Sequence, residues 1–136
     1  MAEDAVVVLK EQLTDEMVEA GAQLTQKLLD IGVPISVAMW FFVPETNRWR
    51  LLFSSPQDSK GPRVVYEKIQ QAREALGPDA ERLPFTAIGL KPTSDRLIKL
   101  LQREVPTGTG LSRVRLSGNA IDGHYIDDAL IYRSAG

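Results

Sequence analysis

Seven consecutive residues, Val37-Ala38-Met39-Trp40-Phe41-Phe42-Val43, restrict this chain to few folds. The run is rich in β-branched and aromatic residues and apolar at odd and even positions alike, so as a strand it demands cover on both faces. The apolar stretch containing it, Val33 to Pro44, is interrupted by Pro34 and Ser36 and falls far short of the about 20 residues of a membrane helix. Pro44-Glu45-Thr46-Asn47 then makes a turn. Beyond it, Arg48, Arg50 and Leu52 alternate with Trp49, Leu51 and Phe53. Two β-rich runs across a short turn-forming loop, Ile35 to Val43 and Arg48 to Ser54, predict a hairpin whose second strand is wet on one face at its start.

Helices supply the cover. Thr14 reads as an N-cap, followed by Asp15 and Glu16 at the positive end of the dipole. Met17, Gly21, Leu24, Leu28 and Ile31 mark a buried stripe, and Gly32 with Pro34 ends the helix. Gly61-Pro62 opens a second helix to about Leu76, with Val65, Ile69, Ala72 and Leu76 inward. Phe85 to Leu90 is a short third strand, and Ser94 caps a third helix through Glu104 with Leu97, Ile98, Leu100 and Leu101 inward. Arg113 to Ser117 and His124 to Arg133 form a closing hairpin around Gly118–Gly123. The order α-β-β-α-β-α-β-β predicts an α+β fold, a mostly antiparallel or mixed five-stranded sheet packed by three helices. With no repeat or linker, residues 1–136 read as one domain. Residues 1–12 are expected to be loosely ordered: Val6-Val7-Val8 favours a strand, whereas Glu3, Lys10 and Glu11 suit a helix.

Composition narrows the function classes. The chain has no Cys, which removes disulfides, thiol catalysis and the usual structural zinc sites. Met1-Ala2-Glu3-Asp4 is acidic where a signal peptide would be basic, so a cytoplasmic location is expected. The net charge of −2 supplies no field for nucleic acid or an anionic membrane, and neither is expected as a partner. No cofactor motif is present, and no cofactor is expected.

Two stretches, Asn47-Arg48-Trp49-Arg50-Leu51 with Lys60-Gly61-Pro62, and Asn119-Ala120-Ile121-Asp122-Gly123-His124-Tyr125-Ile126-Asp127-Asp128-Ala129 with Ile131-Tyr132-Arg133, resemble a group of short bacterial proteins with no assigned activity. The resemblance runs from the first helix onward. It implies a small, non-secreted bacterial protein and carries over no site residues.

Three constellations remain. Asp122, His124 and Asp128 gather carboxylates and the only His, and as metal ligands they would activate water for hydrolysis. The plainer reading of Asp122-Gly123 as a turn pair is favoured. Lys60 and Arg63 flank a helix start and form a weak anion site. Arg48 and Arg50 share one strand face, as do Arg113 and Arg115. If both faces lie on one side of the sheet, four guanidinium groups line it, with Trp40 or Phe42 beside them for stacking. Pairing with Asp127, Asp128 and Glu45 is the more ordinary outcome. Finally, should all helices pack on one side, the Met39–Val43 strand would leave an apolar patch for a homodimer or protein partner. These readings favour a non-catalytic binding or accessory module over a metal-dependent hydrolase.

Overall fold

The doubly apolar run becomes β1 (Val37–Val43), the middle strand of a five-stranded sheet. The structure, a computed structural model, describes residues 9–135, apart from the side chains of Ala80 and Glu81. Its elements are α1 (Asp15–Asp30), β1, β2 (Arg48–Ser54), α2 (Pro62–Leu76), β3 (Ile88–Leu90), α3 (Arg96–Glu104), β4 (Val114–Ile121) and β5 (His124–Ser134). The sheet order is β3-β2-β1-β5-β4. Only β2 and β3 run parallel, joined by the crossover through α2, so the sheet is mixed and the fold α+β. Among the described residues no helix is long and apolar enough to cross a membrane.

Helices cover both faces of β1. Ala38, Trp40 and Phe42 pack with Trp49, Leu51 and Phe53 of β2 and Leu130 and Tyr132 of β5 beneath α1 and α2. Val37 and Met39 pack with Leu52, Ala129 and Ile131 against Leu97, Ile98 and Leu101 of α3. Burying each such large apolar side chain stabilises the fold by about 1.5–3 kcal/mol before chain entropy is counted. Met39, Trp40 and Phe42 are each at most 4% exposed and Phe41 and Val43 half-buried, so the condition for an apolar patch on this strand, helices packed on one side only, is not met.

The helix signals act as the chemistry requires, with two exceptions. The Thr14 hydroxyl accepts the Met17 N–H, and Gly32 takes a positive φ of 86° while its N–H and that of Val33 close the last turn of α1. Ile31, expected in the buried stripe, is 42% exposed, because the stripe turns through Ala20, Gly21, Leu24, Thr25 and Leu28 and the helix ends one residue earlier. Asp95, not Ser94, caps α3: its carboxylate accepts the N–H groups of Leu97 and Ile98. The third strand shortens to Ile88–Leu90 because Phe85–Ala87 closes into a 3₁₀ turn.

The closing hairpin is tighter than a six-residue loop. β4 runs on to Ile121, and Asp122 (φ 48°) with Gly123 (φ 78°) makes a two-residue turn into His124. As an edge strand, β4 is guarded. Gly118 breaks its extended course with φ 61°, and the Asn119 carboxamide accepts the Ser117 N–H at 2.9 Å, withholding it from an incoming strand. Asn119→Val frees that N–H and adds a strand former. It is expected to raise self-association with concentration above the wild type's in light scattering, whereas scattering equal to the wild type's would show that the edge is protected elsewhere.

Candidate functional site

Residues 9–13 form neither helix nor strand, yet they are tied down as a strap across the sheet. The Lys10 ammonium bonds the Asp128 carboxylate at 2.8 Å and Asp127 at 3.3 Å, and it lies 4.4 Å from the Phe42 ring centroid. The Glu11 carboxylate accepts the Trp49 backbone N–H at 2.8 Å, while the Glu11 carbonyl accepts the Trp49 indole N–H at 2.8 Å. The Asn47 carboxamide donates to the Leu9 carbonyl. Residues 1–8, with the valine run, lie outside the described residues.

Beneath one end of the strap sits the strongest polar cluster. Arg115 clamps Asp128 with two parallel bonds, Nε–Oδ1 at 2.7 Å and Nη2–Oδ2 at 2.8 Å. Ser117 Oγ donates a third at 2.9 Å, and the Arg115 guanidinium stands 5.3 Å from the Trp49 ring centroid. The hydrogen bond from Arg115 holds the Asp128 carboxyl well below the usual carboxylate range. Burial opposes this, while Lys10 and Ser117 add to it. For Lys10, burial works against the charge, but the bonds to Asp128 and Asp127 outweigh it and keep the ammonium above the ordinary lysine value. With four donors in place, Asp128 is a satisfied anchor rather than a free ligand.

On the other side of the strap, a cleft of about 460 Å³ opens at the free edge of β2. β3 pairs only with Leu51–Phe53, so the outer edge of Arg48–Arg50 is left without a neighbouring strand. Arg48, Arg50 and Arg82 line the cleft with Thr46, Thr86, Glu11 and Trp49. Arg50 reaches across Gly89 to donate to the Ile88 carbonyl at 3.0 Å. A Cβ on Gly89 would come 2.7 Å from Arg50 Nη2 and 3.0 Å from Leu52 Cδ2, so a side chain there would push the Arg50 tip aside. Among the described residues, no carboxylate forms an ion pair with Arg48, Arg50 or Arg82.

The structure divides the residues singled out in the sequence. Arg48 and Arg50 lie on the α3 side of the sheet, since they alternate with Trp49 and Leu51 and share the parity of Leu52. Arg113 and Arg115 lie on the α1 side, Arg113 paired with Glu19 of α1 at 2.9 Å. The four-arginine face therefore does not exist: β4 and β2 are separated by β5 and β1, and their arginines have opposite parity. Trp40 and Phe42, at 1% and 4% exposure, are closed to base stacking. Asp122 bonds Arg103 at 2.8 Å while Asp128 bonds Arg115, and His124 starts β5 opposite Ile121. Among the described residues no group of three metal-ligating side chains forms, so the Asp122, His124 and Asp128 metal set is not assembled. Arg63 turns to Glu67 at 3.1 Å, and Lys60 is exposed at the end of a 3₁₀ turn.

Lys10, Glu11 and Arg82 were missed. Lys10 and Glu11 belong to a segment with no periodicity, and Arg82 follows a Gly-Pro helix stop that reads as loop. Gly89, a glycine inside an apolar strand, is the local signal that could have pointed to a close approach there. Compared with protein-family models, curated proteins and solved structures, the chain finds no match.

Proposed function

We propose that the protein is a non-catalytic binding module that takes an anionic ligand in the cleft lined by Arg48, Arg50 and Arg82. The observation that supports this is the convergence of three arginines without carboxylate partners, among the described residues, on a concave site of about 460 Å³. Planar guanidinium groups suit carboxylate or phosphate oxygens, and a cleft keeps them less hydrated than a flat surface would. The overall charge of −2 makes this positive patch local, so recognition is specific to the cleft rather than a general attraction.

The test is titration of the full chain with an end-blocked tetraglutamate peptide and with inorganic phosphate, at low and physiological salt. Binding of at least one is expected. The triple variant Arg48→Gln/Arg50→Gln/Arg82→Gln should weaken it at least about tenfold, the scale of losing one good charge-assisted bond. Arg103→Gln, whose partner is Asp122 at the turn between β4 and β5, should change affinity little. No binding by the wild type, or equal binding by the triple variant, removes the proposal.

A further inference from the structure

We infer that the ligand of this cleft is a carboxylate that takes the place of the Glu11 carboxylate on the Trp49 amide, so that the strap carries a built-in stand-in for the ligand. This rests on the anion-binding reading above and names its ligand class and its competitor. Trp49 lies beyond the reach of β3, whose ladder begins at Leu51, and its N–H faces the free edge of β2. What caps that N–H is a side-chain carboxylate, Glu11 Oε1 at 2.8 Å, rather than a strand carbonyl. The same carboxylate lines the cleft with Arg48, Arg50 and Arg82, but among the described residues forms no ion pair with them. The tether that fixes Glu11 to the strap backbone therefore lets it meet the amide and not the arginines. A carboxylate without that tether is free to engage both.

Among the described residues the Glu11 carboxylate is held by one bond, to the Trp49 N–H. Residues 9–13 have no ladder of their own, Leu9 is 79% exposed, and the Glu11 N–H reaches the Asn47 carbonyl only at 3.4 Å. The strap itself is held by Lys10 on Asp128, Glu11 with Trp49, Asn47 on the Leu9 carbonyl and Leu13 against the core. A second cleft of about 420 Å³ flanks the other side of the strap, and both clefts share Glu11 and Trp49 as a wall. The Glu11 side chain thus has open space on both sides, and it can swing off the Trp49 amide while Leu13 stays packed on the core under α1. Guanidinium groups serve phosphate and carboxylate alike, so it is the carboxylate already seated on the Trp49 amide that names the ligand class. An acidic side chain and a peptide C-terminus share that chemistry.

Two variants of the full chain separate displacement from simple repulsion. Glu11→Gln keeps an oxygen on the Trp49 N–H and removes only the charge. Glu11→Ala vacates the amide as well. The probes are end-blocked tetraglutamate, N-acetyl tetraglycine with a free C-terminus, and inorganic phosphate, with a melting curve to confirm that each variant is folded. Expected is an order of affinity for the carboxylate probes of Glu11→Ala over Glu11→Gln over wild type, about threefold for the first step up from wild type and about tenfold overall. Whichever carboxylate probe gains more identifies a side chain or a C-terminus as the source. If Glu11→Ala binds no tighter than Glu11→Gln, Glu11 merely repels and displacement is overturned while the anion site stands. If phosphate shows the larger gain, the carboxylate assignment is overturned. Failure of all probes on all three proteins would end both this inference and the reading beneath it.

Discussion

Gly21→Ala is expected to lower stability by about 2–3 kcal/mol, roughly 5–10 °C in Tm for a chain of this size, although alanine is the better helix former by about 1 kcal/mol. A methyl group at this position would stand 2.6 Å from both the Trp40 Nε1 and the Tyr132 hydroxyl. Both atoms have come down onto α1 for a reason. The Trp40 indole donates to the Met17 carbonyl at 3.1 Å, and the Tyr132 hydroxyl donates to the Val18 carbonyl. Each side chain is the polar-tipped member of an otherwise apolar layer, at 1% and 0% exposure, and without a helix carbonyl its tip would be buried unpaired. The glycine removes the one side chain that would hold α1 away. Alanine forces either the rings to retreat, losing two hydrogen bonds, or the helix to lift off the sheet. Urea unfolding checks the magnitude. A double-mutant cycle checks the cause: the cost of Gly21→Ala should shrink in a Tyr132→Phe background, where one of the two 2.6 Å contacts is gone. A stabilising Gly21→Ala would show that helix propensity, not close approach, governs this position.

Gly21 also marks the boundary of what the sequence discloses. Helical spacing alone places it on the buried stripe of α1, because periodicity is a local property. What it accommodates is not local, since Trp40 and Tyr132 come from strands 19 and 111 residues further along the chain. The same division runs through the candidate site. Period-two alternation correctly pairs Arg48 with Arg50 on one strand face and Arg113 with Arg115 on another. Whether two faces coincide depends on strand order and on the parity carried across β1 and β5, which no local pattern encodes. The doubly apolar β1 rightly announced cover on both sides, but not that α1 and α2 would take one face and α3 the other. The strap was illegible for a plainer reason. Lys10 and Glu11 act through a carboxylate and two aromatic rings supplied by three different strands, β1, β2 and β5, and an irregular segment has no period from which to read its contacts.

Asp128 carries the second large effect, and its size depends on pH. Asp128→Asn is expected to cost about 2 kcal/mol near neutral pH. That is below the roughly 3–5 kcal/mol of a fully buried broken pair, because Arg115 and Lys10 are 49% and 42% exposed and recover some hydration. In the folded protein the Arg115 clamp holds the Asp128 carboxyl below its ordinary value, while in the unfolded chain it titrates near about 3.9. A carboxyl depressed on folding contributes stability that is fully present above the unfolded value. The contribution is lost as pH falls through that value toward the folded one. The gap between wild type and Asp128→Asn should therefore be widest from about pH 5 to 7 and close progressively below about pH 4, as the wild type surrenders the charge that the variant never had. Urea unfolding of both proteins at neutral and acid pH measures it. A gap of constant size would mean that the substituted carboxamide fails by hydrogen-bond geometry, with the charge contributing nothing. Since Lys10 leans on the same carboxylate, Lys10→Met should cost less than about 1 kcal/mol in the wild type and almost nothing in the Asp128→Asn background. Under the carboxylate-displacement proposal, both changes loosen the strap from the far side, so both should also tighten tetraglutamate binding at a cleft whose arginines neither of them touches.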